Sequence, residues 1–171
     1  MHYTAIHGRG ARIELMNERK EPIGSVSYAG KLPGNAQIRM QNSDTFNAMA
    51  VAPNGAAAGI TRNGSTFAVV QCGHEQSMSF MLHTGKRFFM NRKRKWEPSY
   101  TIVDEAQNEV ASVRSRFHWQ SLSFDYEIDV RRKVLDKETS AAFPFLLVYC
   151  TQHARTRRTP LALGKIAASF L

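Results

Sequence analysis

The chain has 171 residues, of which 43% are hydrophobic, 10% aromatic and 22% charged. This length suffices for one domain with a buried core, and the composition excludes a disordered or fibrous chain. The 23 Lys and Arg residues against 14 Asp and Glu give a formal net charge of +9, which favours anionic partners such as nucleic acid or a lipid surface.

Alternation of apolar and polar residues is the dominant pattern as far as residue 130. It is regular in residues 122–130, where five apolar side chains alternate with four polar ones. Shorter stretches of the same pattern occur at residues 13–15, 36–40 and 78–82. A period of two is typical of an antiparallel sheet with one buried face and one solvent face.

Turn sequences separate these stretches at a regular spacing. Asn63-Gly64 is the strongest hairpin signal, because both residues tolerate positive φ. The other turn sequences are Gly8-Arg9-Gly10, Pro33-Gly34-Asn35, Pro53-Asn54-Gly55, His83-Thr84-Gly85 and Ala106-Gln107-Asn108. Turns every 8–12 residues or so predict an all-β barrel or sandwich rather than alternating β/α units.

A change of pattern after residue 140 predicts one helix. Residues 141–150 form the longest apolar run, which is about half the length needed to cross a bilayer. Because Pro144 disfavours helix at the preceding residue and is harmless at the first helical position, we place the helix at about residues 144–153. This helix is apolar on most faces, so it must be surrounded by other elements.

We therefore predict an all-β fold, a closed antiparallel barrel of about 11–12 strands around one central C-terminal hydrophobic helix. The expected bounds of the barrel and its helix are residues 1–154, and residues 155–171 form a basic C-terminal tail. The side chains expected to fill the barrel are Phe145, Leu146, Leu147, Val148 and Tyr149.

The C-terminal half resembles the tubby C-terminal-like superfamily. The resemblance lies in Tyr100-Thr101-Ile102-Val103-Asp104, in Val110-Ala111-Ser112-Val113 after a polar turn, in residues 124–130 and in the apolar helix at 144–149. Their order is similar to the end of the phospholipid scramblase and LURP-one-related domains. The resemblance implies a barrel wrapped around a hydrophobic helix, with a membrane lipid as partner. The acidic calcium segment of scramblases and the tubby phosphoinositide site have no residue-for-residue counterpart here, so neither is carried over.

Residues 85–96 combine six cations and three aromatic residues without an acidic residue. We interpret Lys86, Arg87, Arg92, Lys93, Arg94, Lys95 and Trp96 as an anion-binding surface. Its cations would contact phosphates, and Trp96 would stack on a base or lie at a lipid interface. The alternative interpretation is a strand over residues 86–91 followed by a solvated basic loop. The C-terminal tail, with Arg155, Arg157 and Arg158, would reinforce the anion-binding surface.

The sequence contains no Gly-x-Ser-x-Gly, His-Glu-x-x-His, P-loop or Gly-x-Gly-x-x-Gly motif, so we predict no catalytic residue. Cys72 with His74, and Cys150 with His153, offer four zinc ligands. Their spacings do not match a standard zinc site, and we predict neither a metal nor a cofactor.

The acidic side chains of residues 122–130 could hold a cation. Pairing with basic residues on a neighbouring strand explains them more simply. We expect Asp125, Glu127 and Asp129 to pair with Arg114 and Arg116.

These observations favour a non-enzymatic scaffold that binds an anionic partner through its basic surface. The resemblance implies that this partner is an anionic lipid surface or a phosphoinositide. A nucleic-acid-binding protein with the same patch is the alternative, since the net charge supports it equally. A small-ligand-binding barrel ranks third, because the helix would occupy its lumen. Two cysteines and no secretory signal predict a cytoplasmic protein, peripheral at the membrane if lipid is its partner.

Overall fold

The computed structural model describes residues 1–8, 10–29, 35–51, 56–73, 77–93, 99–119, 123–131 and 136–156, with the side chains of 137, 138 and 156 excepted. Within these residues, twelve strands precede one helix. They are β1 (His2–His7), β2 (Arg12–Asn17), β3 (Pro22–Tyr28), β4 (Ala36–Met40), β5 (Thr45–Ala50), β6 (Ala57–Arg62), β7 (Ser65–Cys72), β8 (Met78–Leu82), β9 (Arg87–Arg92), β10 (Ser99–Asp104), β11 (Glu109–His118), β12 (Ser123–Val130) and α1 (Lys137–Thr156).

The twelve strands form a closed antiparallel barrel in which each strand pairs with its neighbours in sequence. The first and last strands complete the ring, with His2 opposite Asp129 and Ala5 opposite Tyr126. Closure pairs the two edges that an open sheet would expose to other chains. The predicted fold, a barrel of about 11–12 strands, is thus confirmed.

The predicted hairpin at Asn63-Gly64 is confirmed by its backbone geometry. Asn63 has φ 51° and Gly64 has φ 80°, so a two-residue turn with both φ values positive joins β6 to β7. Gly85 and Gln107 also have positive φ, within the predicted turns before β9 and β11. The turns predicted at Gly8-Arg9-Gly10, Pro33-Gly34-Asn35 and Pro53-Asn54-Gly55 include residues outside the described ranges.

Helix α1 lies inside the barrel. The ring of Phe143 is 5.8 Å from that of Phe80 on β8 and 5.2 Å from that of Phe88 on β9. On the opposite side of the ring of strands, Tyr28 of β3 stacks on Tyr149 at 6.5 Å. A helix that contacts opposite walls occupies the lumen, as predicted from its apolarity on most faces.

The predicted start of the helix at Pro144 is wrong. Helix α1 begins at Lys137, and Pro144 lies inside it. Its start is set by Asp136, whose Oδ1 accepts a hydrogen bond from the Thr139 N–H at 2.8 Å and whose Oδ2 accepts one from the Thr139 hydroxyl at 2.9 Å. An internal proline costs about 3 kcal/mol. Burial of Phe143 and Phe145, each 1% exposed, offsets this cost at about 1.5–3 kcal/mol per side chain.

The helix also ends later than predicted, at Thr156. Arg155 is therefore part of its last turn and not of a separate tail. The rest of the predicted tail, residues 157–171, lies outside the described residues. Within the part of the chain that the structure describes, no helix combines the length and apolarity needed to cross a bilayer.

The Asp136 cap makes the stability of the barrel depend on pH. Hydrogen bonds from Thr139, and then the Lys86 ammonium 3.8 Å away, lower the pKa of Asp136 below its ordinary value. A lowered folded-state pKa stabilises the fold above the unfolded-state pKa of about 3.9, and this contribution is lost as the pH falls through the folded-state pKa. Asp136→Ala should cost about 1 kcal/mol near neutral pH.

Asp136→Asn removes the charge and keeps the helix cap, because Asn is an equally good N-cap residue. In urea unfolding, we expect the free energy of unfolding of the wild type to exceed that of Asp136→Asn by about 0.3–1 kcal/mol at pH 7 and by a smaller margin at pH 3. A difference that stays constant between the two pH values would contradict a role for the carboxylate charge.

Candidate anion-binding surface

The direction of the strands gives the barrel two chemically different ends. Helix α1 begins at the proximal end, which is where the even-numbered strands finish, and runs to the distal end, where the odd-numbered strands finish. The last residues of the odd-numbered strands, which mark the distal end, are His7, Tyr28, Ala50, Cys72, Arg92 and His118. Side chains can be assigned to one end or the other from their position along a strand.

The basic residues predicted to bind anions do not share one end. Lys86 and Arg87 lie at the start of β9, at the proximal end, and Lys86 Nζ is 3.8 Å from Asp136 Oδ2. Arg92 and Lys93 lie about 17 Å away along the strand, at the distal end. Arg94, Lys95 and Trp96 lie outside the described residues.

Arg92 and Lys93 themselves differ in exposure. Arg92 shares a strand face with Phe88 and Met90, which point into the barrel, and it is partly buried. Lys93 is exposed and has no ion-pair partner among the described residues. Of the two, Lys93 is the cation at the distal end that can meet an external anion.

Exposed apolar side chains concentrate at the same end. Among the described residues, the large apolar side chains that are exposed are Ile6, Met49, Val51, Met81 and Trp119. All except Met81 lie in the distal half of their strand or directly after it. Trp119 is 81% exposed and packs edge-on against Phe117 at 4.8 Å. The indole thus packs on its strand neighbour and remains largely accessible.

The C-terminal turn of α1 is anchored to β12 just inside the distal end. The Arg155 guanidinium lies 3.1 Å from the centre of the Phe124 ring, and its Nη1 donates to the Tyr126 hydroxyl at 2.9 Å. That hydroxyl in turn donates to Gln152 Oε1 at 2.6 Å. Burial raises the pKa of Tyr126 to about 12, so the phenol stays protonated and can donate. This network fixes the helix relative to the wall.

The side chains predicted to fill the barrel do so. Phe145, Leu146, Leu147, Val148 and Tyr149 are each at most 1% exposed. Burial raises the pKa of the Tyr149 phenol and of the adjacent Cys150 thiol. The lumen is thus occupied by protein at this level, and the exposed surface of the barrel is where a partner can bind.

The outer wall near β12 carries ion pairs, and of the three predicted carboxylates Glu127 has the predicted partners. Glu127 lies 3.1 Å from Arg116 and 3.9 Å from Arg114, which confirms the pairing of this carboxylate with the basic residues of β11. The other two carboxylates have histidine partners: Asp125 pairs with His118 at 2.8 Å and Asp129 with His2 at 2.7 Å. This wall therefore carries both signs of charge. His74, one of the four potential zinc ligands in the sequence, lies outside the described residues.

The sequence interpretation missed Trp119. The signal for this residue was its position directly after the long alternating strand β11, at the end of the barrel. The interpretation of residues 85–96 rested instead on the density of positive charge in the segment. Charge density does not show that strand β9 places the two halves of the segment at opposite ends of the barrel.

No family model matches the sequence, and no curated protein matches it significantly. Among solved structures, the chain is similar to the X-ray structure of a protein from Arabidopsis thaliana, with a TM-score of 0.61 and 13% sequence identity. The similarity covers 90% of this chain and 91% of that one. At this identity it shows a common fold alone.

Proposed function

We propose that this barrel is a non-enzymatic scaffold that binds anionic membrane surfaces with its distal end. The observation that carries the proposal is the coincidence, at that end, of an exposed Trp119 with exposed Val51 and Met49 and the exposed cation Lys93. Trp side chains are enriched at membrane interfaces, and basic residues near an anionic surface contribute about 1 kcal/mol each.

Two described residues at the same end are followed in sequence by further basic residues. Lys93 is followed in sequence by Arg94 and Lys95, and Thr156 by Arg157 and Arg158. The last described residue before each of these pairs lies at the distal end. The resemblance to tubby-like and scramblase-like domains also supports a lipid partner. The proposal makes this a cytoplasmic protein that is peripheral at the membrane.

The exposed aliphatic residues favour a membrane over nucleic acid. Polynucleotide binding relies on cations and stacking aromatics, and it gains little from exposed Val51 or Met49. A lipid interface, in contrast, accepts aliphatic, indole and cationic groups together. The proximal end, where Lys86 already neighbours Asp136, is not part of the proposed surface.

Charge reversal at the two ends of β9 tests the orientation. Lys93→Glu should weaken co-sedimentation with phosphatidylserine-containing vesicles about 5- to 30-fold, because two units of charge change at the surface. Arg87→Glu makes the same kind of change at the other end of the strand and should leave binding unchanged. Equal loss in both variants would contradict a distal docking surface. Retention on polynucleotide but not on vesicles would favour the nucleic-acid alternative.

Trp119 supplies a second, spectroscopic test. The chain has two Trp residues, so Trp96→Phe leaves Trp119 as the sole indole. With anionic vesicles, its emission should shift to shorter wavelength and be quenched by brominated acyl chains, while neutral phosphatidylcholine vesicles leave it unchanged. Trp119→Ala should weaken vesicle binding about tenfold, since transfer of a large apolar side chain is lost. An emission unchanged by anionic vesicles would rule out insertion of this side chain.

A further inference from the structure

A cavity of about 430 Å³ lies on the outer wall of strands β9 to β12, outside the helix-filled lumen. It is lined by Lys93, Ser99, Tyr100, Ser112, Val113, Arg114, Glu127 and Asp129. It shares Lys93 with the distal end, but its other lining residues lie on the wall, away from the exposed apolar residues.

The register of the strands explains why the wall is hollow here. Ser99 lies opposite Arg114, and Arg114 lies opposite Glu127. Lys93 extends this row on the other side, since its N–H donates to the Ser99 carbonyl at 2.9 Å. In the next row, Ser112 lies opposite Asp129. Two short serine side chains on adjacent strands are therefore bordered by long charged ones, which form the sides of a cavity with a polar floor.

The charges on these sides have opposite sign and are separated across the sheet. The Lys93 cation stands on the β9 side, and Glu127 and Asp129 stand on β12, about 14 Å from it between backbones. Arg114 lies between them, with its Nη1 3.9 Å from Glu127 Oε2. Asp129 is 66% exposed although its Oδ1 contacts His2, so its carboxylate remains accessible to a ligand.

Each charged group favours a particular ligand chemistry. A guanidinium and an ammonium on either side of the short Ser99 side chain match a phosphate, whose oxygens can accept hydrogen bonds from both groups at once. The Ser99 and Ser112 hydroxyls can donate to the same group. At the other side, a carboxylate accepts hydrogen bonds from a primary ammonium. A quaternary ammonium is instead recognised by an aromatic cage, and Tyr100, the aromatic lining residue, is only 1% exposed.

We infer that this cavity binds a phosphoethanolamine group, with its phosphate held by Lys93 and Arg114 and its primary ammonium held by Asp129. The chemistry is shared by the free head group and by phosphatidylethanolamine in a membrane. Binding of the free group does not depend on the proposed membrane docking, so either proposal can fail without the other.

Calorimetric titration of the full chain with glycerophosphoethanolamine tests the inference. We expect saturable binding, and at least tenfold weaker binding of glycerophosphocholine because the primary ammonium is lost. Asp129→Asn should weaken glycerophosphoethanolamine binding about tenfold. Asp125→Asn removes a carboxylate from the same face of the same strand, outside the cavity, and should have no effect. Equal affinity for the two glycerophosphodiesters would overturn the assignment.

Ser112→Leu fills the floor of the cavity from an exterior position and should abolish binding, with unchanged circular dichroism showing that the barrel is intact. Binding that survives this change would also overturn the inference. Two vesicle compositions distinguish a membrane lipid from a free metabolite as the source of the phosphoethanolamine group. Both contain the same fraction of phosphatidylserine, and the remainder is phosphatidylethanolamine in one and phosphatidylcholine in the other. Preference for ethanolamine vesicles that Ser112→Leu abolishes identifies the lipid head group, and binding of the soluble diester without such a preference identifies a free metabolite.

Discussion

Gly24→Ala should destabilise the barrel by about 2–5 kcal/mol, because at this position strand β3 approaches the central helix too closely for a side chain. An added Cβ would lie 2.8 Å from two ring carbons of Phe145 and would also clash with the Arg39 carbonyl. Gly24 moreover has φ 152°, beside an irregularity in the pairing of β2 with β3. The costs of backbone strain and of overpacking in the lumen therefore add, and both lower the free energy of unfolding. Urea unfolding followed by circular dichroism measures the loss.

Gly64→Ala is the matched control for this prediction. Gly64 also has positive φ, at 80°, but an added Cβ would meet nothing within 4 Å among the described residues. Gly64→Ala should lower the free energy of unfolding by only about 1 kcal/mol, which is the cost of the backbone conformation alone. Phe145→Leu should partly rescue Gly24→Ala, since the shorter side chain removes the clash with the ring and leaves the one with the Arg39 carbonyl. Equal losses at both glycines, without rescue, would show that Phe145 does not pack against β3.

The features of the fold that could be predicted are those for which the residues of one segment are sufficient. The face of β12 could be predicted because each of its residues keeps the alternation, with Tyr126, Ile128 and Val130 buried at 2% exposure or less. The Asn63-Gly64 turn could be predicted because both residues tolerate the same backbone region. The central position of α1 followed from its apolarity, since an element apolar on most faces has to be surrounded.

The helix start could not be predicted from Pro144, because the deciding interactions are tertiary. A proline is unfavourable inside an isolated helix, and the local rule therefore places it at the start. Here the burial of Phe143 and Phe145 against the barrel outweighs that preference. The local signal for the true start is Asp136, a residue type that is favoured at the N-cap and whose carboxylate accepts a hydrogen bond from the Thr139 N–H.

The candidate surface was harder to predict for a geometric reason. Lys86 and Lys93 are seven positions apart in sequence, yet a strand carries them to opposite ends of the barrel. Trp119 and Lys93 are distant in sequence, yet both follow odd-numbered strands and reach the same end. The parity of the strand decides which loops meet. That parity depends on the exact number of strands, which a prediction of about 11–12 leaves open.

Phe143→Ala should cost about 3–5 kcal/mol and leave a buried cavity inside the barrel. The Phe143 side chain is 1% exposed and packs against Phe80 and Phe88. Those partners are fixed in hydrogen-bonded strands of a closed ring, so the wall cannot collapse into the vacated space as a mobile helix could. The same urea unfolding measures the loss.

An apolar cavity of this kind stays dry and accepts small aromatic molecules. Benzene at ten times its dissociation constant should therefore recover about 1.4 kcal/mol of the stability of Phe143→Ala. Met81→Ala, next to Phe80 on β8 but 40% exposed, is the control and should change stability by less than about 0.5 kcal/mol without responding to benzene. If Phe143→Ala behaved like Met81→Ala, the helix would not fill the lumen. The volume available inside the barrel would then have to be assigned to a ligand instead.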